Sequence, residues 1–331
     1  MKVAVIGAGI VGLSTANWLK RYGQDVTLFD REDPGSQASF GNAGTYAKYA
    51  NIPTNSSSFF YLFPYLLLNK NSPLFFKRGK FIQSLPWLMQ YLSNCRQSKV
   101  RDTSNKLTTL LSLVDEGYED LFNDADIENL ISRESIFYVW SNKLFYNSAR
   151  KDFETREKTG VKIEIISKNE INDVEPNINN IFYKGALFKG SYFAKNPKKI
   201  SEKLMQLFIE KGGNFKKEKI DEIKILDTNK VNIHTNENTY TYDRIVLCAG
   251  VWSKKLTDKL GENIPLASER GYHLMYPHPE NSISRPIAWQ ERGVYFTPMQ
   301  DGLRAGGVVE LGGNSSEISS KVVSYLKRAT E

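Results

Sequence analysis

The chain has 331 residues, of which 40% are hydrophobic and 24% are charged, and its formal net charge is +7. This composition is typical of a globular protein, and the length is sufficient for two domains. The sequence contains no run of about five basic residues and no apolar run of about 18 residues, so neither a nucleic-acid-binding stripe nor a transmembrane helix is expected.

The two cysteines, Cys95 and Cys248, lack metal-ligand spacing and are too few for a disulfide framework. Cys248 lies in an apolar run, so we expect it to be a buried thiol. The chain begins directly with a predicted strand, which leaves no room for a signal peptide. We therefore expect a cytoplasmic protein in a reducing compartment, without a bound metal.

The first thirty residues have the pattern of a strand, a helix and a second strand. An apolar run from Val3 to Ile6 ends at a glycine-rich turn, and apolar residues at helical spacing then continue to Leu19. Gly23 ends the predicted helix, and the second strand finishes at Asp30. The turn consists of Gly7, Ala8, Gly9, Ile10, Val11 and Gly12.

A G-x-G-x-x-G turn in this position is typical of a unit that binds a dinucleotide. Gly7 permits the tight turn, Gly9 lets a pyrophosphate approach the backbone, and Gly12 lets helix and strand pack closely. The N-terminus of the helix would direct N–H groups at the phosphates. Asp30 is the expected partner of a ribose hydroxyl.

Small residues without regular periodicity occupy Ser36–Gly44, and this composition predicts a loop. The loop leaves the carboxyl end of the second strand, where open α/β sheets bind ligands. We interpret it as a loop that lines the cofactor, and the alternative is a plain surface connection.

Residues 51–123 are predicted to be helical and are rich in aromatic side chains. Two apolar runs, Phe59–Leu68 and Phe81–Leu92, favour packing between helices. The alternative is an amphipathic face that rests on a membrane, assisted by Lys70, Lys77, Arg78 and Lys80. Within Val100–Phe122 we expect one long helix with Leu107, Leu110, Leu111 and Val114 on one face.

A late apolar run, Arg244–Ala249, is predicted to be a fully buried parallel strand that ends at Gly250. It returns about 200 residues after the second strand, which indicates a nucleotide-binding domain interrupted by a large insertion. That arrangement is seen in FAD enzymes, and the sequence has no second G-x-G-x-x-G for a nicotinamide. The expected cofactor is therefore FAD.

The predicted fold is α/β, with an interrupted Rossmann-like FAD-binding domain and an inserted α+β substrate domain of antiparallel sheet and helices. The FAD-binding domain is expected to comprise residues 1–50 and 191–262. The substrate domain is expected to comprise residues 51–190 and 263–316, and residues 317–331 are expected to hold a C-terminal helix.

Several further motifs are more specific than the glycine turn. They are ASFGNAG at 38–44, LPWL at 85–88, VLCAGVWS at 246–253, ERGYH at 269–273 and TPMQDGLRAGG at 297–307. Together they resemble the D-amino-acid oxidase and dehydrogenase superfamily of FAD enzymes, and within it the bacterial D-amino-acid dehydrogenase group. The resemblance extends along nearly the whole chain.

This resemblance implies oxidative deamination of D-amino acids to 2-oxo acids and ammonia, with transfer of the α-hydrogen as hydride to the flavin. Dehydrogenases of this group pass the electrons to a quinone or another carrier rather than to oxygen. The implied partners are a small amino-acid substrate, an electron acceptor and the inner face of the cell membrane as a peripheral contact. No nucleic-acid partner is implied.

The resemblance also implies roles for individual residues. Gly7, Gly9, Gly12, Asp30 and Arg31 would hold the ADP half of FAD. The pyrophosphate and ribityl region would be lined by Ser39, Asn42, Ala43 and Gly44, and closed over by Ala249, Gly250 and Trp252. Tyr272 and His273 are candidates for the substrate pocket, and the substrate carboxylate calls for one of Arg270, Arg292 and Arg304.

Members of the resembled family are expected to carry a further C-terminal part, with a Gly-Leu-Arg-Pro segment and a Gly-rich loop, that this sequence does not contain. Alternatives therefore stay open. The chain is either the dehydrogenase, a glycine- or sarcosine-oxidase-like amine oxidase, or a truncated and inactive nucleotide-binding remnant. A tRNA-modifying enzyme with a related FAD domain is suggested only by the charge of +7.

Overall fold

The structure is a computed structural model, and it describes residues 1–56, 62–64, 66, 69, 72–76, 81–278, 282–311 and 318–330. The chain forms two compact units. The first comprises Met1–Gly41, Tyr118–Leu130 and Pro197–Ala267, and the second comprises Asn42–Gly117, Ile131–Asn196 and Ser268–Glu331. The predicted domain bounds differ from these, because residues 42–50 and 191–196 belong to the second unit and residues 118–130 and 263–267 to the first.

The strands in chain order are β1 Lys2–Ile6, β2 Asp25–Asp30, β3 Thr45–Tyr46, β4 Leu74–Phe76, β5 Ile131–Ser132, β6 Ile136–Trp140, β7 Ile163–Ser167, β8 Lys184–Phe188, β9 Tyr192–Ala194, β10 Asn214–Lys217, β11 Glu222–Ile225, β12 Val231–His234, β13 Thr239–Tyr242, β14 Arg244–Leu247, β15 Glu269–Tyr276, β16 Ile287–Trp289, β17 Val294–Met299 and β18 Gly302–Leu311. The helices are α1 Ile10–Arg21, α2 Ala38–Gly41, α3 Phe81–Ser93, α4 Gln97–Leu111, α5 Val114–Asp124, α6 Lys143–Lys158, α7 Ile171–Val174, α8 Pro197–Glu210, α9 Ser253–Lys259 and α10 Ser320–Thr330. Among the residues that the structure describes, no helix has the length and apolar character needed to cross a bilayer.

A parallel sheet of order β10-β2-β1-β14 forms the centre of the first unit. Its middle strand β1 has four consecutive buried residues, Val3 to Ile6, as the apolar run predicted. Helices α1 and α8 pack together, and the buried Asn17 amide of α1 donates a hydrogen bond of 2.9 Å to the carbonyl of Leu204. The predicted strand–helix–strand unit is confirmed, and so is the return of the late strand to pair with β1.

The burial predicted for β14 is wrong. Its apolar residues Ile245, Val246 and Leu247 are only half-buried, and so is the thiol-bearing Cys248. The physical reason is that β14 is an edge strand of the sheet in the described part of the chain. It is paired with β1 on one side, and its other side has no neighbouring strand of this sheet to bury it. Ile245 and Leu247 nevertheless pack on a core formed with the small antiparallel sheet β11-β12-β13.

The second unit is built on a larger mixed sheet of order β15-β18-β17-β16-β6-β8-β7, with β4 also paired to β18. Strand β6 is buried on both faces: Tyr138 and Trp140 lie in one core, and Phe137 and Val139 lie in another. Helix α10 covers part of the second face through its buried residues, which are Val322, Tyr325 and Leu326. The predicted C-terminal helix is thus present from Ser320.

The long helix predicted over Val100–Phe122 is wrong, because it divides into α4 and α5 after Leu111. The apolar residues of α4 are not its buried ones, since Leu110 is 66% exposed and the buried position of α4 is Ser104. Helix α3 covers the second predicted apolar run, Phe81–Leu92, and ends one residue after it. Most of the first run, Phe59–Leu68, lies outside the described residues.

Candidate functional site

The glycine turn of the first unit has the geometry that its sequence predicts. Gly7 has φ +109°, and a Cβ there would strike the main-chain carbonyl of Cys248. At Gly12 a Cβ would strike the carbonyl of Gly7, so α1 packs directly on the turn. At Gly9 the nearest atom to a Cβ is Ser39 Oγ at 3.1 Å. Side chains at Gly7, Gly9 and Gly12 would therefore fill the space along this turn, and we call the open turn formed by these three residues the glycine cradle.

The N-terminus of α1 is held by the side chain of Ser39, which follows β2 in the chain. Ser39 Oγ accepts a hydrogen bond of 2.8 Å from the Ile10 N–H, and the first turn of the helix contains no acidic residue. Val11, on the same turn, is 63% exposed. The positive end of the helix is thus open to an anionic group, as binding of a pyrophosphate requires.

Asp30 lies at the end of β2, where its carboxylate fixes the glycine turn. Its Oδ2 accepts from the Ala8 N–H at 2.6 Å, and its Oδ1 accepts from the Glu32 N–H at 3.0 Å. Because each carboxylate oxygen has a second lone pair, these bonds are compatible with further donation by ribose hydroxyls.

Arg31 and Trp252 form a stacked pair in the first unit. The Arg31 guanidinium lies 4.5 Å from the centre of the Trp252 ring. Trp252 ends a 3₁₀ turn, Gly250–Trp252, that follows Ala249 directly after β14, and Gly250 has φ +54°. The strands β2 and β14 are parallel, so this pair and the glycine turn occupy the same carboxyl edge of the sheet. These residues fit the ADP half of FAD.

The predicted loop Ser36–Gly44 contains one helical turn, α2, and is divided between the two units after Gly41. Within the second unit, Asn42 Oδ1 accepts from the Gly44 N–H at 2.7 Å. Gly44 has φ +70°, and its carbonyl accepts from the Ala194 N–H at 2.7 Å. The backbone of residues 42–44 is therefore held in one conformation.

Arg304 and Thr297 hold the same segment from the large sheet. Nη1 of the buried Arg304 donates to the Asn42 carbonyl at 2.8 Å, and Thr297 Oγ1 donates to the Ala43 carbonyl at 3.0 Å. Burial lowers the pKa of the Arg304 guanidinium, although nearby Asp301 opposes that shift. Thr297 was not predicted as a site residue, and its only signal is a polar residue at a buried strand position.

The residues predicted for the substrate site do not lie together. His273 and Arg304 share one face of the large sheet, where Arg304 pairs with Met275, two residues along β15 from His273. Tyr272 and Arg270 lie on the opposite face, where the Arg270 guanidinium is 5.2 Å from the Tyr272 ring centre. The expectation that Tyr272 and His273 share a pocket is therefore corrected, because neighbouring strand residues point to opposite faces.

Tyr272 is a packing residue in this structure. It is buried in the core beneath α10 with Val308 and Tyr325. Its hydroxyl donates to Glu310 Oε2 at 3.0 Å and accepts from the Ser319 N–H at 3.2 Å. Arg292, the remaining arginine considered for a carboxylate, lies 5.2 Å from the ring centre of Trp289.

His273 belongs to a row of residues that are paired across five strands. The row is Tyr138, Ala288, Tyr295, Gly306 and His273. A Cβ at Gly306 would lie 3.0 Å from the His273 Cβ, so the glycine makes room for the imidazole. Burial lowers the pKa of His273, and the positive charge of Arg304 lowers it further. The imidazole is therefore held in its neutral form at pH 7.

Two tyrosines in this row were missed by sequence reasoning. The hydroxyls of Tyr138 and Tyr295 lie 3.2 Å apart, and burial raises the pKa of both phenols. They can exchange hydrogen bonds but will not act as bases near pH 7. The sequence shows only that each tyrosine occupies an inward-facing position of a predicted strand. Tyrosines at such positions are also common in an ordinary hydrophobic core, so the pattern does not mark a site.

The sequence matches a known protein family along nearly its whole length. The family model described as FAD-dependent oxidoreductase (DAO) matches residues 2–331. A D-amino-acid oxidase from Bradyrhizobium diazoefficiens is 28% identical over 314 residues, which are 94% of this chain and 74% of that protein. This chain therefore spans about three quarters of that relative's length.

Solved structures show the same fold. Glycine oxidase from Geobacillus kaustophilus has a TM-score of 0.70 at 16% identity, over 99% of this chain and 76% of that one. FAD-bound L-α-glycerophosphate oxidase from Mycoplasma pneumoniae also has a TM-score of 0.70, at 15% identity, over 99% of this chain and 77% of that one. The chain belongs to the DAO family of FAD-dependent oxidoreductases, and its cofactor is FAD.

Proposed function

We propose that this protein oxidatively deaminates a small D-amino acid. The substrate would lose a hydride from Cα and a proton from its amine, and water would hydrolyse the resulting imine to a 2-oxo acid and ammonium. FAD, when bound, supplies the two-electron acceptor. The observation that carries the proposal is the complete glycine cradle with Asp30, in a chain similar along 94% of its length to a D-amino-acid oxidase.

The residues of the first unit would bind and orient the cofactor. The cradle of Gly7, Gly9 and Gly12 would admit the pyrophosphate, Asp30 would accept from the ribose, and the Arg31–Trp252 pair would flank the ADP half. Ser39 would act by fixing the N-terminus of α1. None of these roles moves a proton, so the first unit contributes binding and position.

In the second unit, Asn42, Ala43 and Gly44 would line the remainder of the cofactor in the conformation that Arg304 and Thr297 impose. Of the residues predicted for the substrate site, we retain His273 as a substrate contact, because it is half-buried and kept neutral. We assign Arg304 to positioning, since its guanidinium is bonded to the Asn42 carbonyl. Tyr272 and Arg270 are assigned to packing on the other face.

We further propose that the electrons pass to a quinone or another carrier. A quinone acceptor dissolves in the bilayer, so the protein would work at the inner face of the cell membrane. The second candidate is an oxidase acting on glycine or sarcosine, which the fold likeness to glycine oxidase favours. That enzyme would deliver the same electrons to oxygen and release peroxide.

Product analysis tests the proposal. The FAD-loaded protein is incubated with D-alanine, D-proline, glycine or sarcosine, each with a soluble quinone in the absence of air and again in air alone. We expect 2-oxo acid and ammonium from D-alanine with the quinone, and no peroxide in air. Peroxide from glycine or sarcosine would favour the second candidate, and no product from any amine with FAD bound would contradict both.

A further inference from the structure

The net charge of the chain is concentrated in one segment. Residues 51–106 contain eight of the 44 basic side chains and only one of the 37 acidic ones, Asp102. The 36 basic residues elsewhere are matched by 36 acidic residues, so this segment accounts for the whole charge of +7. Four of its cations are exposed on α4 or directly before it: Arg96, Lys99, Arg101 and Lys106.

The same segment contains α3, which exposes an apolar stripe. Ile82 is 80% exposed, Leu85 is 44% exposed and Met89 is 63% exposed. With the exposed Pro86, these residues recur at intervals of one helical turn, so they lie on one side of the helix. Scattered single apolar residues are ordinary on a surface, but an aligned exposed set indicates a contact.

A neighbouring side of α3 is anchored in the protein. Leu88 is 5% exposed, and Cys95, two residues beyond the helix, is 4% exposed. Because one side is buried, the exposed stripe cannot turn inward without losing that packing. Helix α3 therefore presents its second apolar side outward as a fixed feature of the second unit.

We propose that α3 docks this protein on an anionic lipid surface. Ile82, Leu85 and Met89 would enter the boundary between headgroups and acyl chains, and the exposed cations of the segment that follows α3 would contact the lipid phosphates. A helix of 13 residues is about 20 Å long and lies in the interface rather than across the bilayer.

The charge argues for lipid over other partners. In a symmetric dimer through α3, each copy would bring the same segment, of net charge +7, against its twin, and like charges would repel. A nucleic acid would be attracted by the cations but would leave the apolar stripe in water. An anionic bilayer satisfies the apolar side chains and the positive charges together.

Vesicle binding by the FAD-loaded protein tests the proposal, and it is independent of any catalytic activity. The partition coefficient is measured by co-sedimentation with phosphatidylglycerol vesicles and with phosphatidylcholine vesicles. We expect binding to the anionic vesicles that weakens as salt is raised. The triple variant Ile82→Ser, Leu85→Ser and Met89→Ser should bind at least about tenfold more weakly.

A matched control removes exposed aliphatic residues elsewhere: Ile181→Ser, Ile209→Ser and Ile225→Ser, which are 51%, 48% and 72% exposed. This control should bind like the wild type. Should the α3 triple variant misfold, Met89→Trp supplies a second readout, because its emission should shift to the blue with anionic vesicles only. Absence of binding, or equal binding by the α3 triple variant and the wild type, would overturn the proposal. A lipid-free dimer that the α3 triple variant dissociates would also overturn it, by assigning the stripe to a second copy.

Discussion

Arg304 and Asn42 are separated by 262 positions in the chain, and the Arg304 guanidinium donates a 2.8 Å hydrogen bond to the Asn42 carbonyl. Both residues belong to the second unit, so this bond ties the large sheet to the start of the segment 42–44. Thr297 makes a parallel bond to the next carbonyl, that of Ala43. A residue that we first considered for substrate binding thus orders the backbone that we expect beside the cofactor.

Arg304→Met should lower the free energy of unfolding by roughly 1–3 kcal/mol, because the Asn42 carbonyl loses a charged donor in a buried setting. It should also weaken FAD retention, because residues 42–44 lose a fixed conformation. Urea unfolding and an FAD titration measure the two effects. Arg270→Met is the control, and equal effects from both variants would contradict the positioning role.

Gly12→Ala should destabilise the protein by roughly 1–3 kcal/mol and abolish tight FAD binding, because the new Cβ strikes the carbonyl of Gly7. The control is Gly117→Ala in α5, where a Cβ meets no atom within 4 Å. That substitution should be neutral or slightly stabilising, since alanine favours a helix over glycine. Thermal unfolding with and without FAD separates them, and a Gly12→Ala protein that binds FAD normally would contradict the cradle.

Tyr272→Phe should cost about 1 kcal/mol of stability, because the hydroxyl bonds to Glu310 and to the Ser319 N–H are lost beneath α10. The KM for an amino-acid substrate should not change. Steady-state kinetics on the loaded enzyme, beside a urea melt, check this. A large rise in KM at unchanged stability would contradict the packing role and would indicate that Tyr272 contacts the substrate.

His273 should make the stability of the protein depend on pH. Its pKa is lowered in the folded state by burial first and by Arg304 second, so the unfolded chain takes up a proton at a higher pH. Its stabilising contribution is therefore present above the pKa of the unfolded chain and is lost as the pH falls below about 6.5.

The free energy of unfolding should accordingly fall more between pH 7.5 and 5.5 in the wild type than in His273→Gln. The exposed His278 supplies the control variant His278→Gln, which should retain the wild-type slope. Urea melts at the two pH values give the slopes. A His273→Gln protein with the wild-type slope would remove this residue as the titrating group.

The parts of the fold that sequence predicted well are those set by neighbouring residues. Strand β1, the three glycines of the turn and Asp30 occur within thirty positions. At each of these glycines a nearby atom leaves little room for a side chain. The parallel return of β14 was also predictable from its apolar character. The half-burial of β14 was not predictable, because burial depends on whether another strand lies beside it. The apolar residues of β14 do not specify that neighbour.

The substrate side shows why local pattern is insufficient. Tyr272 and His273 are adjacent, so strand alternation alone places them on opposite faces, and the register with Gly306 decides which face each one takes. The Arg304–Asn42 bond and the Tyr138–Tyr295 contact join residues that are far apart in the chain. Such pairs become visible only when the strand order is known.

The most direct test of the central claim is the visible spectrum of the protein after reconstitution with FAD, recorded before and after anaerobic addition of D-alanine. We expect one FAD retained per chain and bleaching of its absorbance by the amino acid, with Asp30→Ala retaining less flavin and Asp33→Ala retaining the wild-type amount. A protein that retains no flavin, or a bound flavin that no D-amino acid bleaches, would contradict the claim that this chain is an FAD-dependent D-amino-acid oxidoreductase.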